Sequence, residues 1–531
     1  MGSQALLGLV TGVMVVGALA VSCTDEPVAP EGVAGSGGVA GAAASGGVAG
    51  SAGVGAAGAG SGGVSGSGNT GGSAGTSPVL TVERHPLQPM VVDVVATLPD
   101  AEAAELVLEA DPGVRIEQLA ETDPGSRRYR LRGLAPGAAH ESALVVGEQR
   151  YPVSFTTLPP LPGFQASFDV DVRGEHAPDY RIFDYAKAPA VGDAGIYVID
   201  AAGRTRWFYA LVGAATINDL AAGVKLLPSG DVLYSDIGKI RVVSELGEVK
   251  LEVTAAQVGA LLFHHDVIQL PNGNFVAIAL ELRDIYYPAD DETHYVAGDV
   301  LVELTPAGEV VWTFKALDKL DPLRKRMDFD APYYPFFHPD TGKQAKDWSH
   351  ANGVIHDPSD DSLWLSLRHQ DWLIKIDRAS GEVVWRLGEE GDFALVGDRW
   401  FYHPHSPELQ PDGSLLLYDN GVGNPHSPPE EWRTRPIRLA LDTAAMTATI
   451  AWQDTQESYV APIAGDVDRL SNGNFLVLDT VLPDDPSAYL PGRPRLREVS
   501  PITGEWTWVL HAPSGHFAYR AITATRLPGE Q

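Results

Sequence analysis

From residue 159 onward the chain alternates short apolar runs with Gly, Pro, Asn and Asp turn signals, and no strong helical period shows. Two patterns recur. One is a hairpin in which a Pro/Ser-x-Gly turn joins two apolar runs. It occurs as LLPSGDVLY, QLPNGNFVAI, LQPDGSLLLY and RLSNGNFLVL, and more loosely as HDPSDDSLWL. The other is a strand carrying Gly-x-x-x-Trp: Gly203/Trp207, Gly308/Trp312, Gly381/Trp385 and Gly504/Trp508. Ala448/Trp452 keeps the spacing and Gly247/Leu251 keeps the glycine, which makes six copies. With room for four strands per unit, the predicted fold class is all-β, a six-bladed β-propeller over 159–531. The final segment AITATRLPGEQ starts one more inner hairpin with no outer strand after it. It is expected to complete the first blade and close the ring.

Upstream the pattern changes twice. Residues 79–158 hold five short apolar runs, VVDVVATL, AELVLEA, RRYRLRGL, ESALVVG and YPVSFTTL, broken by turn residues. They predict a small β-sandwich, and YRLRGLAPGAAHESALVV resembles the late strands of a fibronectin-type domain. Residues 32–78 carry no charged residue and 19 glycines. Residues 24–78 are therefore expected to be a flexible linker, with a reach of about 35–40 Å for its ~47 uncharged residues. Residues 5–22 are apolar and end at Cys23, so 1–23 reads as a signal segment. Ala20-Val21-Ser22-Cys23 resembles a lipobox, which points to lipidation at Cys23 and a protein exported to the bacterial envelope. A retained membrane helix is the alternative, at the short end for spanning.

Charge and cysteine narrow the chemistry. Lys plus Arg is 38 and Asp plus Glu is 69, a net charge of −31, which argues against nucleic acid as a partner. Cys23 is the single cysteine, so an internal disulfide framework and cysteine zinc sites are excluded.

The repeat also gives a register at the axial channel. Eight residues before each turn glycine stand Ala222, His265, His405, Gly465 and Ala521, with Asn352 in the looser fourth unit. His350 lies two residues before Asn352, on the same face of a regular strand. Seven residues after the turn, on the returning strand, stand Arg368 and Asn420. Three histidines and an arginine are thus expected at one mouth of the channel. Asp266 would face away. His264, His369, His403 and His426 read as neighbours or loop residues. No HExxH, EF-hand, Walker or GxSxG motif is present, and no carboxylate of a metal motif shares the register. The set suits an oxyanion: cationic and imidazole donors grip its oxygens while a neutral imidazole acts as nucleophile.

HHDVIQLPNGN (264–274), DWSHANGVIHDPSDD (347–361), LSLRHQDWLIKID (365–377) and the His405 segment before LLLYDNG resemble the PAPS-independent aryl-sulfate sulfotransferase family. The resemblance covers roughly residues 80–531. It implies ping-pong transfer of a sulfuryl group from a phenolic sulfate ester to an acceptor phenol. The partners would be small molecules, with no cofactor and no metal. His405 would be the sulfohistidine nucleophile. His265, His350 and Arg368 would hold the sulfuryl oxygens, one histidine also assisting the phenolic oxygen. Asn352 and Asn420 are supporting substrate-binding residues. The context His403-Pro404-His405 departs from the Gln that usually precedes the family's nucleophile. His403 is therefore the alternative, although the glycine register selects His405. A free imidazole titrates near about 6.5, so activity is expected to rise from acid towards neutral pH. Two other classes stay open. IDRASGEVVWRL resembles the repeats of PQQ-type quinoprotein dehydrogenases, and a non-catalytic ligand-binding propeller fits the same repeat.

Overall fold

A computed structural model describes residues 62–63 and 77–530, except 99–102, 109–110, 121–124, 188–193, 215–219, 332 and 486–487. The signal segment with Cys23 and all but a few residues of the linker lie outside it. Among the described residues no helix is long and apolar enough to cross a membrane.

The protein is almost wholly β. Val79–His85, Gln88–Thr97, Ser126–Arg132 and Arg115–Leu119 form one antiparallel sheet, and Ala104–Leu108, Ala139–Val146 and Gln149–Thr156 form a second. Both contribute to one core containing Val92, Val94, Leu131, Leu144 and Phe155. This unit is tied to the rest by ion pairs of Arg130 and Arg132 with Glu245, and of Arg206 with Asp111.

Residue 180 onward builds six sheets, each around four antiparallel strands that are successive in the chain in all but the first. The second comprises Ala222–Leu226, Val232–Ser235, Lys239–Val243 and Val249–Thr254. The third comprises Phe263–Gln269, Phe275–Tyr287, Glu292–Leu304 and Val310–Lys315. The fourth runs from Ala351–Asp357 through Ser362–Leu367 and Trp372–Asp377 to Glu382–Gly388. The fifth runs from Pro404–Leu409 through Leu415–Asp419 and Arg435–Asp442 to Thr447–Gln453. The sixth runs from Asp466–Arg469 through Phe475–Asp485 and Ala488–Val499 to Trp506–His511. In the first sheet, Tyr180–Lys187, Gly195–Ile199 and Thr205–Ala210 are joined by the C-terminal strand Ala521–Ala524, in the register Phe183↔Ala521 to Tyr180↔Ala524. Val170–Val172 in turn pairs with Trp506–His511 on the outer edge of the sixth sheet.

In all six copies the Trp or Leu falls on the strand farthest from the inner one among the sheet's four antiparallel strands, Trp207 on Thr205–Ala210. The indoles reach between sheets: Trp207 Nε1 donates to Glu245 O at 2.8 Å, and Trp508 Nε1 to Ala201 O at 2.8 Å. Neighbouring sheets share a hydrophobic core in every case, including the sixth with the first. Strand periodicity explains how one sheet serves two cores. Along Leu415–Asp419, Leu415 and Leu417 pack towards the fourth sheet, while Leu416 and Tyr418 pack towards the sixth. Burial on both faces turns the alternating pattern into continuous apolar runs such as LLLY. The first strands of the sheets touch in cyclic order.

Candidate active site

The first strands are not regular where they begin. Pairing slips between Phe263 and Val267, where His265 has φ 61°, and between His405 and Glu408, where Ser406 has φ 47°. Similar slips lie at Gly223 (φ 61°) and around Asn352, with His350 at φ 48°. These are bulges, and left-handed backbone at a non-glycine residue is strained. Here it aims imidazoles inwards. His265, His350, Arg368 and His405 line one cavity of about 160 Å³, with Tyr333, Tyr334 and Tyr519. Roughly 150 Å³ holds a benzene ring, so the space suits a sulfuryl group or one aryl ring. The His265 and His350 rings lie 4.8 Å apart, and the His350 and His369 rings stack at 4.5 Å.

The bulges also correct the register. Asn352 does not share the face of His350 and does not line the cavity. Its side chain is buried and donates Nδ2–H to Pro404 O at 2.7 Å, bracing the strand that carries His405. Asn420 does not line the cavity either, but it reaches His405, whose Nδ1 lies 2.6 Å from Asn420 Oδ1. Arg368 starts a short 3-10 turn just past Ser362–Leu367, and its backbone N–H bonds His350 O at 3.2 Å.

The tautomer of His405 follows from these bonds. Asn420 Nδ2 donates to Ala461 O at 2.7 Å and Ala464 O at 2.9 Å, so Oδ1 is the atom facing the imidazole. An amide oxygen only accepts, so His405 Nδ1 carries the proton and Nε2 keeps its lone pair. Burial, then the Arg368 charge, hold His405 well below the usual histidine range. Burial also holds His265 and His350 low, reinforced by neighbouring histidines and Arg368. His405 is thus neutral well below pH 6.5, which moves the acid limb expected from the sequence to lower pH.

His403 is not available for attack. Its Nδ1 bonds Val422 O, and its Nε2 lies 3.1 Å from Asp328 Oδ2. Asp328 also accepts from Arg368 Nη1 at 2.8 Å and Tyr333 Oη at 2.9 Å. Burial pushes the Asp328 carboxyl up, but His403, then Arg368 and His369, pull it well below the carboxylate range. Arg368 is therefore anchored through one nitrogen. Asp299 plays a similar part behind His265. It accepts from Ser349 Oγ at 2.5 Å and Ala351 N at 2.6 Å, and its Oδ1 lies 3.0 Å from His264 Nε2, bent away from good hydrogen-bond geometry. His264 Nδ1 meets His265 Nδ1 at 2.7 Å.

Register arithmetic did not reveal Asp299, Asp328, Tyr333, Tyr334, Asp347, Tyr519 or the supporting roles of His264, His369 and His403. Asp347 had a signal, its place three residues before His350. Asp328, Tyr333 and Tyr334 come from the loop after the third sheet and obey no repeat. Asp266 faces a second cavity, where it pairs with Lys225 at 3.0 Å and Arg520 at 2.8 Å. Asp347, His350 and His369 are three buried groups close enough for a metal. As placed, however, Asp347 Oδ2 and His350 Nδ1 stand 2.5 Å apart, whereas ligands about 2.0–2.2 Å from zinc in a tetrahedron stand farther from one another.

Comparison with known proteins identifies the family. The arylsulfate sulfotransferase AssT of Escherichia coli O6:H1 (strain CFT073) is 25% identical over 273 residues, 40% of this chain and 44% of that protein. The arylsulfate sulfotransferase AssT of Lelliottia amnigena is 23% identical over 260 residues, 38% of this chain and 42% of that protein. The match thus spans less than half the length of these curated relatives. The family model described as arylsulfotransferase (ASST) matches residues 178–517, which run from the first sheet through Tyr333, Arg368 and His405 to Phe517, and the chain belongs to that family.

Proposed function

We propose that the protein moves a sulfuryl group from a phenolic sulfate ester to an acceptor phenol, by a ping-pong route through a sulfohistidine at His405. The six sheets, with inner strands touching in cyclic order and a core at every junction, support reading them as a six-bladed propeller. Behind them the smaller unit reads as a fibronectin-like sandwich. The observation that carries the chemistry is the tautomer of His405, whose unprotonated Nε2 faces a cavity shared with the guanidinium of Arg368.

In the first half-reaction the Nε2 lone pair forms the N–S bond as the S–O(aryl) bond breaks. The aryl oxygen leaves with the bonding pair and accepts a proton from one of the cavity imidazoles. Arg368 and whichever of His265 and His350 does not protonate the aryl oxygen donate to the sulfuryl oxygens, and Asn420 steadies the positive charge that develops on the His405 ring. In the second half the acceptor phenol returns the proton, and its oxygen takes the sulfuryl group.

His405→Asn is expected to abolish both release of 4-nitrophenol from 4-nitrophenyl sulfate and the acid-labile +SO3 adduct seen by mass spectrometry, with the circular dichroism unchanged. A His405→Asn protein that still turns over the ester rejects the assignment.

A further inference from the structure

Removing the sulfuryl group from a simple phenol leaves a basic phenolate, so the aryl oxygen needs a proton as the S–O bond breaks. A neutral imidazole is a poor acid unless its other nitrogen gains a proton at the same time. The environment of His350 supplies that second proton. His350 Nδ1 lies 2.5 Å from Asp347 Oδ2, and the His350 ring lines the cavity. Asp347 is 1% exposed, and its Oδ1 is buried with no hydrogen-bond partner among the described residues. An ionised carboxylate left with a bare oxygen in such a place is costly, whereas a carboxylic acid that donates its O–H to an imidazole is not.

Resting on the sulfotransferase reading, we propose that Asp347 stores the proton of the transfer: it donates from Oδ2 to His350 Nδ1, which fixes His350 as the Nε2–H tautomer facing the aryl oxygen. The steps balance. When the S–O bond breaks, the aryl oxygen takes the proton from His350 Nε2, and His350 Nδ1 takes the proton from Asp347. The products are a neutral phenol, an electrically neutral sulfohistidine and an Asp347 carboxylate, so the single negative charge of the ester has moved to Asp347. In the second half the acceptor phenol gives its proton to His350 Nε2, and the Nδ1 proton returns to Asp347. Its oxygen then takes the sulfur as the N–S bond breaks.

The groups around Asp347 fit this role. Burial pushes its carboxyl up to about 7, helped by the like charge of Asp299 and opposed by His369, His264 and Arg368. Tyr334 also faces it and stays protonated, held up by burial and by Asp347 and Asp299 themselves. His369 spends its Nδ1–H on Asp347 O at 2.9 Å, leaving the side-chain carboxyl to His350. Burial pushes Asp299 up, but His264, then Ser349 and Ala351 as donors, hold it below its ordinary value. Two carboxyls in one site are thus driven apart, one as acid and one as anion.

Asp347 acts through His350, so it is a positioning and proton-storing residue, and the test exploits the leaving group. Release of phenol from phenyl sulfate and of 4-nitrophenol from 4-nitrophenyl sulfate is measured in single turnover without acceptor, for the full chain and for Asp347→Asn. The amide can still donate to His350 Nδ1 but cannot give the proton up. The expected result is a loss of about 10²-fold with phenyl sulfate and a change within about threefold with 4-nitrophenyl sulfate, whose phenolate leaves unaided. Equal losses for the two esters, or none, overturn the proposal. Should the variant not fold, the unsubstituted protein decides: its phenyl sulfate rate falls above about pH 7 while its 4-nitrophenyl sulfate rate does not. A phenyl sulfate rate that stays level from about pH 6 to 9 also overturns it. If the unsubstituted protein releases neither phenol, the sulfotransferase reading itself fails, a result distinct from the others.

Discussion

At the scale of single residues, an asparagine decides which nitrogen of a histidine keeps its lone pair. Asn420 is held by two carbonyls and therefore presents only an acceptor to His405. Replacing that acceptor with a charge changes the result predictably. In Asn420→Asp the carboxylate favours the imidazolium and raises the His405 pKa, so that imidazole is protonated below the new value. A pH–rate profile with 4-nitrophenyl sulfate is expected to gain an acid limb near neutrality in the variant and to show none there in the unsubstituted protein. Identical profiles would remove Asn420 from the account. His405, His265, Arg368 and Asn420 were legible in the sequence because a repeat turns spacing into position. Asp328 and Tyr333 were not, because the loop that carries them occurs once and has no copy to be compared with.

The bulge is the element that converts the repeat into a site. A regular strand would place His350 and Asn352 on one face. The left-handed His350 instead turns its ring into the cavity, while Asn352 turns to Pro404 O. Such bulges are invisible to apolar periodicity, which is why the sheets were legible and the exact facing of each side chain was not. A related constraint holds the loop ahead of the sixth sheet. Gly465 has φ 109°, and a Cβ there would meet the Tyr418 ring at 2.3 Å, while Gly465 O accepts from Ser406 Oγ at 2.9 Å. Gly465→Ala is expected to cost about 2–3 kcal/mol in denaturant unfolding. It is also expected to slow 4-nitrophenol release, because Ala464 O next door orients Asn420. A variant as stable and as fast as the parent would show that the loop yields.

For the whole molecule, closure is the controlling fact. Ala521–Ala524 completes the first sheet, and Val170–Val172 extends the sixth, so the two ends of the ring overlap on both sides of one seam. Ala521 is 1% exposed and Leu527 is 1% exposed, so both are core residues. Ending the chain after Arg520 would remove the inner strand and open that core. The expected loss exceeds a domain's usual margin of about 5–15 kcal/mol, so the truncated protein is expected to give no cooperative thermal transition. A sharp transition near that of the full chain would place the stability elsewhere.

That overlap also orders events during synthesis. Every imidazole of the cavity has left the ribosome once residue 405 has emerged, yet Tyr519 and the strand that seals the seam are still to come. A nascent chain therefore carries His265, His350 and His405 long before it owns a pocket. The cavity is complete only when Tyr519 and Ala521–Ala524 have locked onto the sheet that was made first.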